Sequence, residues 1–187
     1  VSHLEILPAK EKHQLLYVFN DTKAEYPKDK TIHQLFEEQA LKTPNNIAVV
    51  FEEQSLTYKE LNAKSNQLAW LLIQKGVKPE TIVGIMVERS LEMIIGILGI
   101  LKAGGAYLPL DPEYPEARIL YMLKDSRAQV LLTQKKLSIK THSLGFKGSL
   151  VELDDEGIYE GDSANVASNV KTNNLAYVIY TSGSTGQ

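Results

Sequence analysis

The order of apolar and polar residues predicts helices and strands in alternation along most of the chain. Thr31 is a suitable N-cap for a helix that Pro44 would stop. Four apolar residues recur there at helical spacing and predict one buried face: Ile32, Leu35, Phe36 and Ala40. The apolar run Ile47–Phe51 then predicts a strand, with the LTY segment that begins at Leu56 as its hairpin partner across the turn EEQS.

The clearest helical pattern begins at Thr57 and ends at Gly76. Thr57 and Glu60 have the spacing of a capping box, in which each side chain bonds the backbone N–H of the other residue. Three leucines fall on one face: Leu61, Leu68 and Leu72. Gly76 supplies the backbone freedom that commonly ends a helix.

The second half of the chain continues the alternation. A buried strand is predicted at Thr81–Val87, and Ser90 then caps a helix that is apolar on almost all sides and is expected to be buried. Gly96 and Gly99 allow another backbone to come close to this helix, the alternative being a plain propensity cost of about 1 kcal/mol each. The remaining predicted elements are a short helix with Pro115 in its first turn and strands at Gln129–Thr133, within SLVEL and at Leu175–Tyr180.

Strands that alternate with helices are typical of a layered α/β fold with a largely parallel sheet. The polar stretch 134–174 contains the acidic run LDDEG and predicts loops around one short strand. We therefore expect the α/β class, as a partial layered sheet with flanking helices.

Residues 1–30 have a different character from the rest. They are polar, with turn formers at Asn20 and Asp21 and prolines at Pro8 and Pro27. This pattern predicts an extended arm or interdomain linker with a short helical patch near Leu15–Phe19. Residues 31–187 are then the domain proper.

Composition excludes several kinds of site. The 187 residues contain no cysteine, which excludes disulfides, thiolate metal sites and cysteine nucleophiles. The 20 basic and 23 acidic residues give a net charge of −3 without any basic block, which argues against a nucleic-acid surface. The longest apolar run, Met93–Leu101, is far shorter than the ~18 residues of a membrane span. We expect a cytoplasmic protein without a nucleic-acid or membrane partner.

The segment TSGSTG, residues 181–186, is the strongest candidate for a binding site. Its glycines free the backbone so that successive N–H groups can point at one anion. Four hydroxyl groups can donate to phosphate oxygens: Thr181, Ser182, Ser184 and Thr185. The segment has neither the Walker A order nor the Rossmann glycine spacing. On composition alone, a flexible Ser/Gly tail is an equal alternative.

Metal chemistry has weaker candidates. The four histidines are scattered and show no ligand spacing: His3, His13, His33 and His142. The run Asp154–Glu156 could grip a cation, although a solvated turn is the favoured interpretation. No metal site is predicted.

Two other positions follow predicted strands. Glu88 and Arg89 come where α/β sheets place ligands, although a surface ion pair or a helix-entry role is the favoured interpretation. Asp111, between Leu110 and Pro112, indicates an Asx turn. No Ser/His/Asp arrangement is present that would indicate a hydrolase.

Three stretches resemble, in order, successive core motifs of the adenylation domains of nonribosomal peptide synthetases, within the superfamily of adenylate-forming enzymes. They are LTYKELNAKSNQLAWLL, LKAGGAYLPLDPEYPEARILYML and LAYVIYTSGSTG. The upstream LLYVFNDTKAEYPKDKTIHQLFEEQALKTP is similar to the segment that joins a condensation domain to such a domain. The resemblance runs from about Leu7 to Gly186. The second motif is highly specific, whereas the Ser/Thr/Gly loop is shared with acyl-CoA synthetases and luciferases.

The resemblance implies an adenylate-forming ligase that takes part in the synthesis of antibiotic-type peptides. Such enzymes activate an amino acid with ATP and Mg²⁺, release pyrophosphate, and pass the aminoacyl group to a phosphopantetheine thiol on a carrier domain. Attack at phosphorus requires positioning and neutralisation of the leaving group. The resemblance accordingly implies an ATP phosphate loop formed by Thr181, Ser182, Gly183, Ser184, Thr185 and Gly186. It assigns no catalytic residue and no metal ligand within this chain.

In the family, the loop continues through a Pro-Lys-Gly run, and the amino-acid pocket, the adenine and ribose contacts and the catalytic lysine follow. Here the sequence ends at Gln187. The expectation is therefore an N-terminal part of an adenylation domain, inactive alone. Its expected partners are the remainder of that domain, an upstream condensation domain, a downstream carrier domain and an MbtH-like protein.

Two alternatives remain open from the sequence. The segment LKAGGAYLPLDP and the linker-like segment FNDT disfavour an acyl-CoA-synthetase-type ligase. A non-catalytic interaction module could retain the first layer of the fold and bind a partner chain, although the intact loop residues argue mildly against it.

Overall fold

The computed structural model describes residues 7–167 and 169–181. The helices are α1 (Ala9–His13), continued by a π-helical segment (Gln14–Val18), α2 (Ile32–Lys42), α3 (Tyr58–Gln74), α4 (Leu91–Lys102), α5 (Glu116–Asp125) and α6 (Ser138–Ser143). The strands are β1 (Ile47–Phe51), β2 (Gln54–Thr57), β3 (Ile82–Ile85), β4 (Ala106–Pro109), β5 (Val130–Thr133) and β6 (Ser149–Glu152). No helix in this part of the chain is both long enough and apolar enough to cross a bilayer.

Strands β3 to β6 form a parallel sheet in the order β4-β3-β5-β6, and β1 and β2 form a separate antiparallel hairpin. The predicted α/β class with flanking helices is confirmed. Because the chain moves from β3 to β4 on one side and then returns to β5 on the other, the strand order reverses beside β3. In open α/β sheets, ligands bind near such a reversal, outside the carboxyl ends of the strands.

Two apolar layers cover the opposite faces of the parallel sheet, because successive side chains of a strand alternate between faces. In β5, Val130 and Leu132 join the layer that contains α3 and α4. Leu131, between them, joins the layer that contains α5. The two crossover helices α4 and α5 therefore lie on opposite faces of the sheet.

The caps of α3 follow the sequence prediction. The Thr57 N–H donates to Glu60 Oε2 at 2.8 Å, and the Glu60 N–H donates to Thr57 Oγ1 at 3.2 Å. Gly76 has a φ of 89°, the left-handed conformation that glycine adopts without strain. The predicted capping box and stop are confirmed.

Helix α4 packs closely against its neighbours at its two glycines. A Cβ built at Gly99 would lie 2.6 Å from Leu68 Cδ2 on α3, and one at Gly96 would lie 2.8 Å from Ile85 Cδ1. These distances are shorter than van der Waals contact, so a side chain at either position would require the neighbouring side chains to shift. Tight packing at both glycines is confirmed, but neighbouring side chains and not another backbone make the close approach, so the expected partner is wrong.

We expect Gly99→Ala to lower the free energy of unfolding by about 1 kcal/mol or more. Overpacking a tight core costs about 1–3 kcal/mol, and the better helix propensity of alanine returns at most about 1 kcal/mol. Leu68 is fully buried and cannot move aside freely. Chemical denaturation measures the difference, with Gly161→Ala as the control because open space surrounds Gly161. An unchanged transition midpoint for Gly99→Ala would contradict the tight contact.

Helix α2 starts at the predicted N-cap, Thr31, but its buried face differs from the prediction. The Thr31 N–H donates to Gln34 Oε1 at 2.8 Å, which completes a capping box. Ile32 and Leu35, predicted to be buried, are 56% and 38% exposed, whereas His33 and Ala40 are buried. The prediction is wrong for Ile32 and Leu35.

A buried ion pair explains how α2 is rotated. Lys102 Nζ, at the end of α4, donates to Glu37 Oε1 of α2 at 2.6 Å and to Asn62 Oδ1 of α3 at 2.9 Å. The ammonium also lies 5.6 Å from the ring centroid of Phe36. The Lys102 side chain is fully buried, and burial lowers its pKa although the hydrogen bond to Glu37 opposes the shift. The face of α2 that carries Glu37 must therefore point inward.

The prediction of a final strand at Leu175–Tyr180 is wrong, because this segment does not form a continuous hydrogen-bonded ladder. This segment runs beside the edge strand β4, but it forms a single parallel bridge between Tyr107 and Tyr177. The Tyr107 N–H donates to Ala176 O at 3.1 Å, and the Val178 N–H donates to Tyr107 O at 3.0 Å. Leu175, Tyr177 and Ile179 are about half exposed, so little burial reinforces the pairing.

The polar stretch 134–174 contains more regular structure than predicted. The short strand expected within SLVEL is confirmed as β6, but α6 and two 3-10 turns, Lys135–Leu137 and Glu156–Tyr159, were not anticipated. Among residues 7–30, the helical patch begins earlier than predicted, at Ala9, and ends at Val18, where Phe19 follows. Its side chains are exposed. The division into an arm at 1–30 and a domain at 31–187 stays a prediction.

Candidate active site

A cavity of about 460 Å³ opens at the carboxyl ends of β3 and β4. The two strands are parallel neighbours, so the segments that follow them meet at one edge of the sheet. The apolar part of the cavity wall includes Ile85, Val87, Met93, Ile97, Met122 and Ile179. The charged part comprises Glu88, Arg89, Asp111 and Glu113. An apolar cavity with a few polar groups is a suitable binding site for a small molecule.

The loop after β3 brings Glu88 and Arg89 to this cavity. Met86 and Val87 continue the buried strand, and the next two side chains are exposed. The carboxylate of Glu88 forms an ion pair with Lys136, which confirms the surface ion pair considered for it. Arg89 forms no ion pair or hydrogen bond with any residue that the structure describes.

The loop after β4 forms another part of the wall and is held from two sides. The Glu113 N–H donates to Asp111 Oδ1 at 2.8 Å, so the predicted Asx turn is confirmed. Lys140 of α6 donates to the backbone oxygens of Pro112 and Tyr114, the latter at 3.0 Å. The contact with Lys140 was not predicted, because 26 residues separate it from Tyr114 and only the fold brings them together.

The segment 175–181 leads into the predicted phosphate loop at the same edge. Ile179 and Tyr180 line the cavity, and Thr181 follows as an exposed residue. The Tyr180 hydroxyl donates to Asp125 of α5. Burial, together with this hydrogen bond, raises the pKa of Tyr180 above its usual range, so the hydroxyl is a donor at neutral pH. This contact fixes the segment one residue before Thr181.

Most of the predicted phosphate loop lies outside the described residues. The structure describes Thr181, whereas Ser182, Gly183, Ser184, Thr185 and Gly186 are beyond it. Their phosphate-binding role stays a prediction. Thr181 directly follows a residue of the cavity wall, so the loop begins where the carboxyl ends of the parallel strands meet.

The other candidate residues have local partners. His33 is buried with its Nε2 3.1 Å from Thr31 Oγ1, and burial lowers its pKa. The His13 ring contacts the tilted ring of Tyr17 with centroids 5.1 Å apart, and His142 Nδ1 lies 2.6 Å from Ser138 O. His3 lies outside the described residues. No cluster of three histidine, aspartate or glutamate side chains within residues 7–167 and 169–181 could hold a metal ion.

The acidic run Asp154–Glu156 serves local structure. Asp154 Oδ1 accepts from the Lys135 N–H at 2.8 Å, and Asp155 Oδ1 accepts from the Gly157 N–H at 3.2 Å. Glu156 pairs with Lys64 at 3.0 Å. These contacts agree with the favoured interpretation as a turn rather than a cation site.

Gln134 supports the loop at the cavity without lining the cavity itself, and sequence reasoning missed it. It follows β5 and is 5% exposed. Its side-chain amide forms hydrogen bonds with the loop after β3. A glutamine directly after an apolar strand is a weak signal, because most glutamines are exposed. Only its burial distinguishes it.

Comparison with known proteins identifies relatives of this chain. The family described as AMP-binding enzyme matches residues 36–187. The chain is similar to gramicidin S synthase 2 of Brevibacillus brevis, with 53% identity over all 187 residues, and to gramicidin S synthase 1 of the same organism, with 56% identity over 178 residues. Bacitracin synthase 3 of Bacillus licheniformis is 52% identical over 188 aligned residues. The chain spans 4%, 16% and 3% of the lengths of these three relatives.

Solved structures of a nonribosomal peptide synthetase, FmoA3, have a similar fold. The form bound to alpha-methyl-L-serine-AMP matches 86% of this chain with a TM-score of 0.78 and 30% identity. The AMPPNP-bound form matches 91% of this chain with a TM-score of 0.79 and 29% identity. This chain covers 18% of each of those chains.

Proposed function

Because the chain belongs to the AMP-binding enzyme family, we propose that it forms part of an amino-acid-activating adenylation domain of a nonribosomal peptide synthetase. The observation that carries this proposal is the similarity to gramicidin S synthase 2 along the whole of the chain, at 53% identity. The position of the cavity agrees with it, since an α/β sheet binds its ligands at the carboxyl edge. The proposal concerns the larger protein to which such a domain belongs.

In the proposed reaction, an amino-acid carboxylate attacks the α-phosphorus of ATP, an acyl–phosphate bond forms, and pyrophosphate leaves with the electron pair of the broken bond. Thr181 to Gly186 hold the β- and γ-phosphates through backbone N–H groups and hydroxyls. Such donors stabilise charge that grows on the leaving group. The acyl group then passes to a phosphopantetheine thiol on a carrier domain: a thioester bond forms, AMP leaves with the electron pair of the broken acyl–phosphate bond, and the thiol proton passes to solvent.

Magnesium fits this site as a companion of the nucleotide. Mg²⁺ is commonly held by one or two carboxylates together with substrate phosphates, rather than by a cage of protein ligands. The described residues contain no group of three side chains that could hold a metal ion. Asp111 and Glu113 lie on the cavity wall. The proposed partners are the remainder of the domain, condensation and carrier domains and an MbtH-like protein, and the proposed location is the cytoplasm.

Amino-acid-dependent ATP–pyrophosphate exchange across a panel of amino acids tests the proposal. The full-length protein that carries this sequence is expected to exchange with one amino acid or a small related group. The 187-residue chain by itself is expected to be silent. Exchange that depends on fatty acids instead would indicate an acyl-CoA-synthetase-type ligase. Exchange by the chain alone would contradict the proposal that this region is only part of the active domain.

A further inference from the structure

The side chain of Gln134 connects β5 to the loop that follows β3. Its Oε1 accepts from the Glu88 N–H at 2.9 Å, and its Nε2 donates to Ser90 Oγ at 3.2 Å. Gln134 is 5% exposed, so both ends of the amide need partners. The buried Gln134 side chain thus forms hydrogen bonds with Glu88 and Ser90, the residues on either side of Arg89.

This contact lies where the strand order reverses. Regular pairing between β3 and β5 is extended as far as Met86, whose N–H donates to Leu132 O at 2.9 Å. Beyond Met86, the chain leaves the sheet and enters α4 at Leu91. The Gln134 side chain holds the intervening loop against β5 through its two hydrogen bonds, at a point where backbone pairing between β3 and β5 has ended.

The loop carries the cationic group of the cavity. Arg89 is the one lysine or arginine among the described residues that line it. Glu88, its neighbour, already pairs with Lys136, and Asp111 already accepts from the Glu113 N–H. The Arg89 guanidinium has no ion pair in the part of the chain that is described. A planar guanidinium binds phosphates and carboxylates through paired N–H donors.

We propose that Gln134 is a positioning residue that holds Arg89 at the cavity wall, where the guanidinium binds an anionic group of a substrate. The inference rests on the proposed function and adds two residues to the site. Two substrate groups have the required chemistry, the triphosphate of ATP and the carboxylate of the amino acid.

The geometry is tested first on Gln134→Met, which keeps the length of the side chain and removes both hydrogen bonds. Amide hydrogen exchange at Glu88 is expected to accelerate roughly tenfold, as follows from losing about one hydrogen bond. Exchange at Leu132, within the ladder, is expected to stay unchanged. The matched control is Thr133→Val, which alters the preceding residue on β5. The Thr133 hydroxyl is buried and has no hydrogen-bond partner among the described residues, so valine should leave the Glu88 amide as in the parent.

The role in binding is tested by ATP–pyrophosphate exchange in the full-length protein. Arg89→Ala is expected to raise one KM roughly tenfold or more, because hydrogen bonds to charged groups are stronger than neutral ones. An effect on the KM for ATP assigns the triphosphate to Arg89, and an effect on the KM for the amino acid assigns the carboxylate. Gln134→Met should raise the same KM by a smaller factor, whereas Thr133→Val should raise neither.

A double variant separates positioning from general stability. If Gln134 acts through Arg89, Gln134→Met adds no further loss in the background of Arg89→Ala. Multiplied losses would overturn the positioning role, and so would an unchanged KM in folded Gln134→Met. Gln134→Glu retains the acceptor for the Glu88 N–H and is expected to recover part of the loss. An inactive parent would overturn the proposed function, whereas an active parent that tolerates Arg89→Ala would overturn only this inference.

Discussion

Replacing Thr181 and Thr185 together by alanine is expected to lower amino-acid-dependent ATP–pyrophosphate exchange roughly 100-fold or more. Loss of one donor that stabilises a developing negative charge costs about 10²–10³ in rate. The two threonines flank the Ser-Gly-Ser core of the predicted loop. Each hydroxyl that contacts a phosphate oxygen in the transition state therefore contributes to the rate. The measurement is the exchange rate of the full-length protein at saturating amino acid.

Thr172→Ala is the matched control, because Thr172 is an exposed threonine in the turn that precedes the segment 175–181. Thr181→Ser and Thr185→Ser retain the hydroxyls and should retain most of the rate. Equal exchange by the double alanine variant and the parent would contradict the phosphate-loop prediction. If nucleotide binding is also unaffected, the interaction module becomes the better hypothesis.

The largest expected effect on stability comes from Lys102. Lys102→Ala leaves the Glu37 carboxylate, 17% exposed, without its cation, and breaking a buried pair in this way typically costs about 3–5 kcal/mol. The Asn62 carboxamide oxygen loses its donor as well. Chemical denaturation of the parent and the variant measures the difference in free energy of unfolding. Lys102 on α4 contacts both α2 and α3, so α2 should become less firmly held when the side chain is removed.

The pair between Lys30, just before α2, and Glu38 on α2 provides a control with the same nitrogen–oxygen distance. Lys30 Nζ lies 2.6 Å from Glu38 Oε1, the same distance as between Lys102 and Glu37, but both side chains are about 40% exposed. Lys30→Ala should change stability little, since water replaces the lost partner. The double variant Lys102→Met with Glu37→Gln should recover much of the stability, because no buried charge remains. A loss for Lys102→Ala no greater than that for Lys30→Ala would show that burial of the pair is energetically unimportant.

Local features of the chain were predictable because their causes are contained in a few neighbouring residues. The capping box of Thr57 and Glu60, the stop at Gly76 and the Asx turn of Asp111 depend on contacts between residues at most a few positions apart. The apolar run at Thr81–Val87 indicated the buried strand that became β3. The motifs also allowed the family to be recognised, since their residues stand in order along the chain.

Two of the errors occur where a partner is distant in sequence. Helical spacing placed Ile32 and Leu35 on the buried face of α2, but Lys102, 65 residues after Glu37, turns a different face inward. The pattern of Leu175–Tyr180 is that of a strand, but a strand also needs a neighbour, and β4 offers this segment only one bridge.

The sequence alone was sufficient for the α/β class, for most element positions and for the family, because periodicity, caps and motifs are local properties. It also pointed to residues 181–186 as the phosphate loop, which stays a prediction. Only the tertiary structure revealed the cavity at the carboxyl edge, the buried Lys102–Glu37 pair and the contact of Gln134 with the Arg89 loop. The reason is physical: burial and hydrogen bonding between residues 40 or more positions apart depend on how strands and helices pack, which no short stretch of sequence encodes.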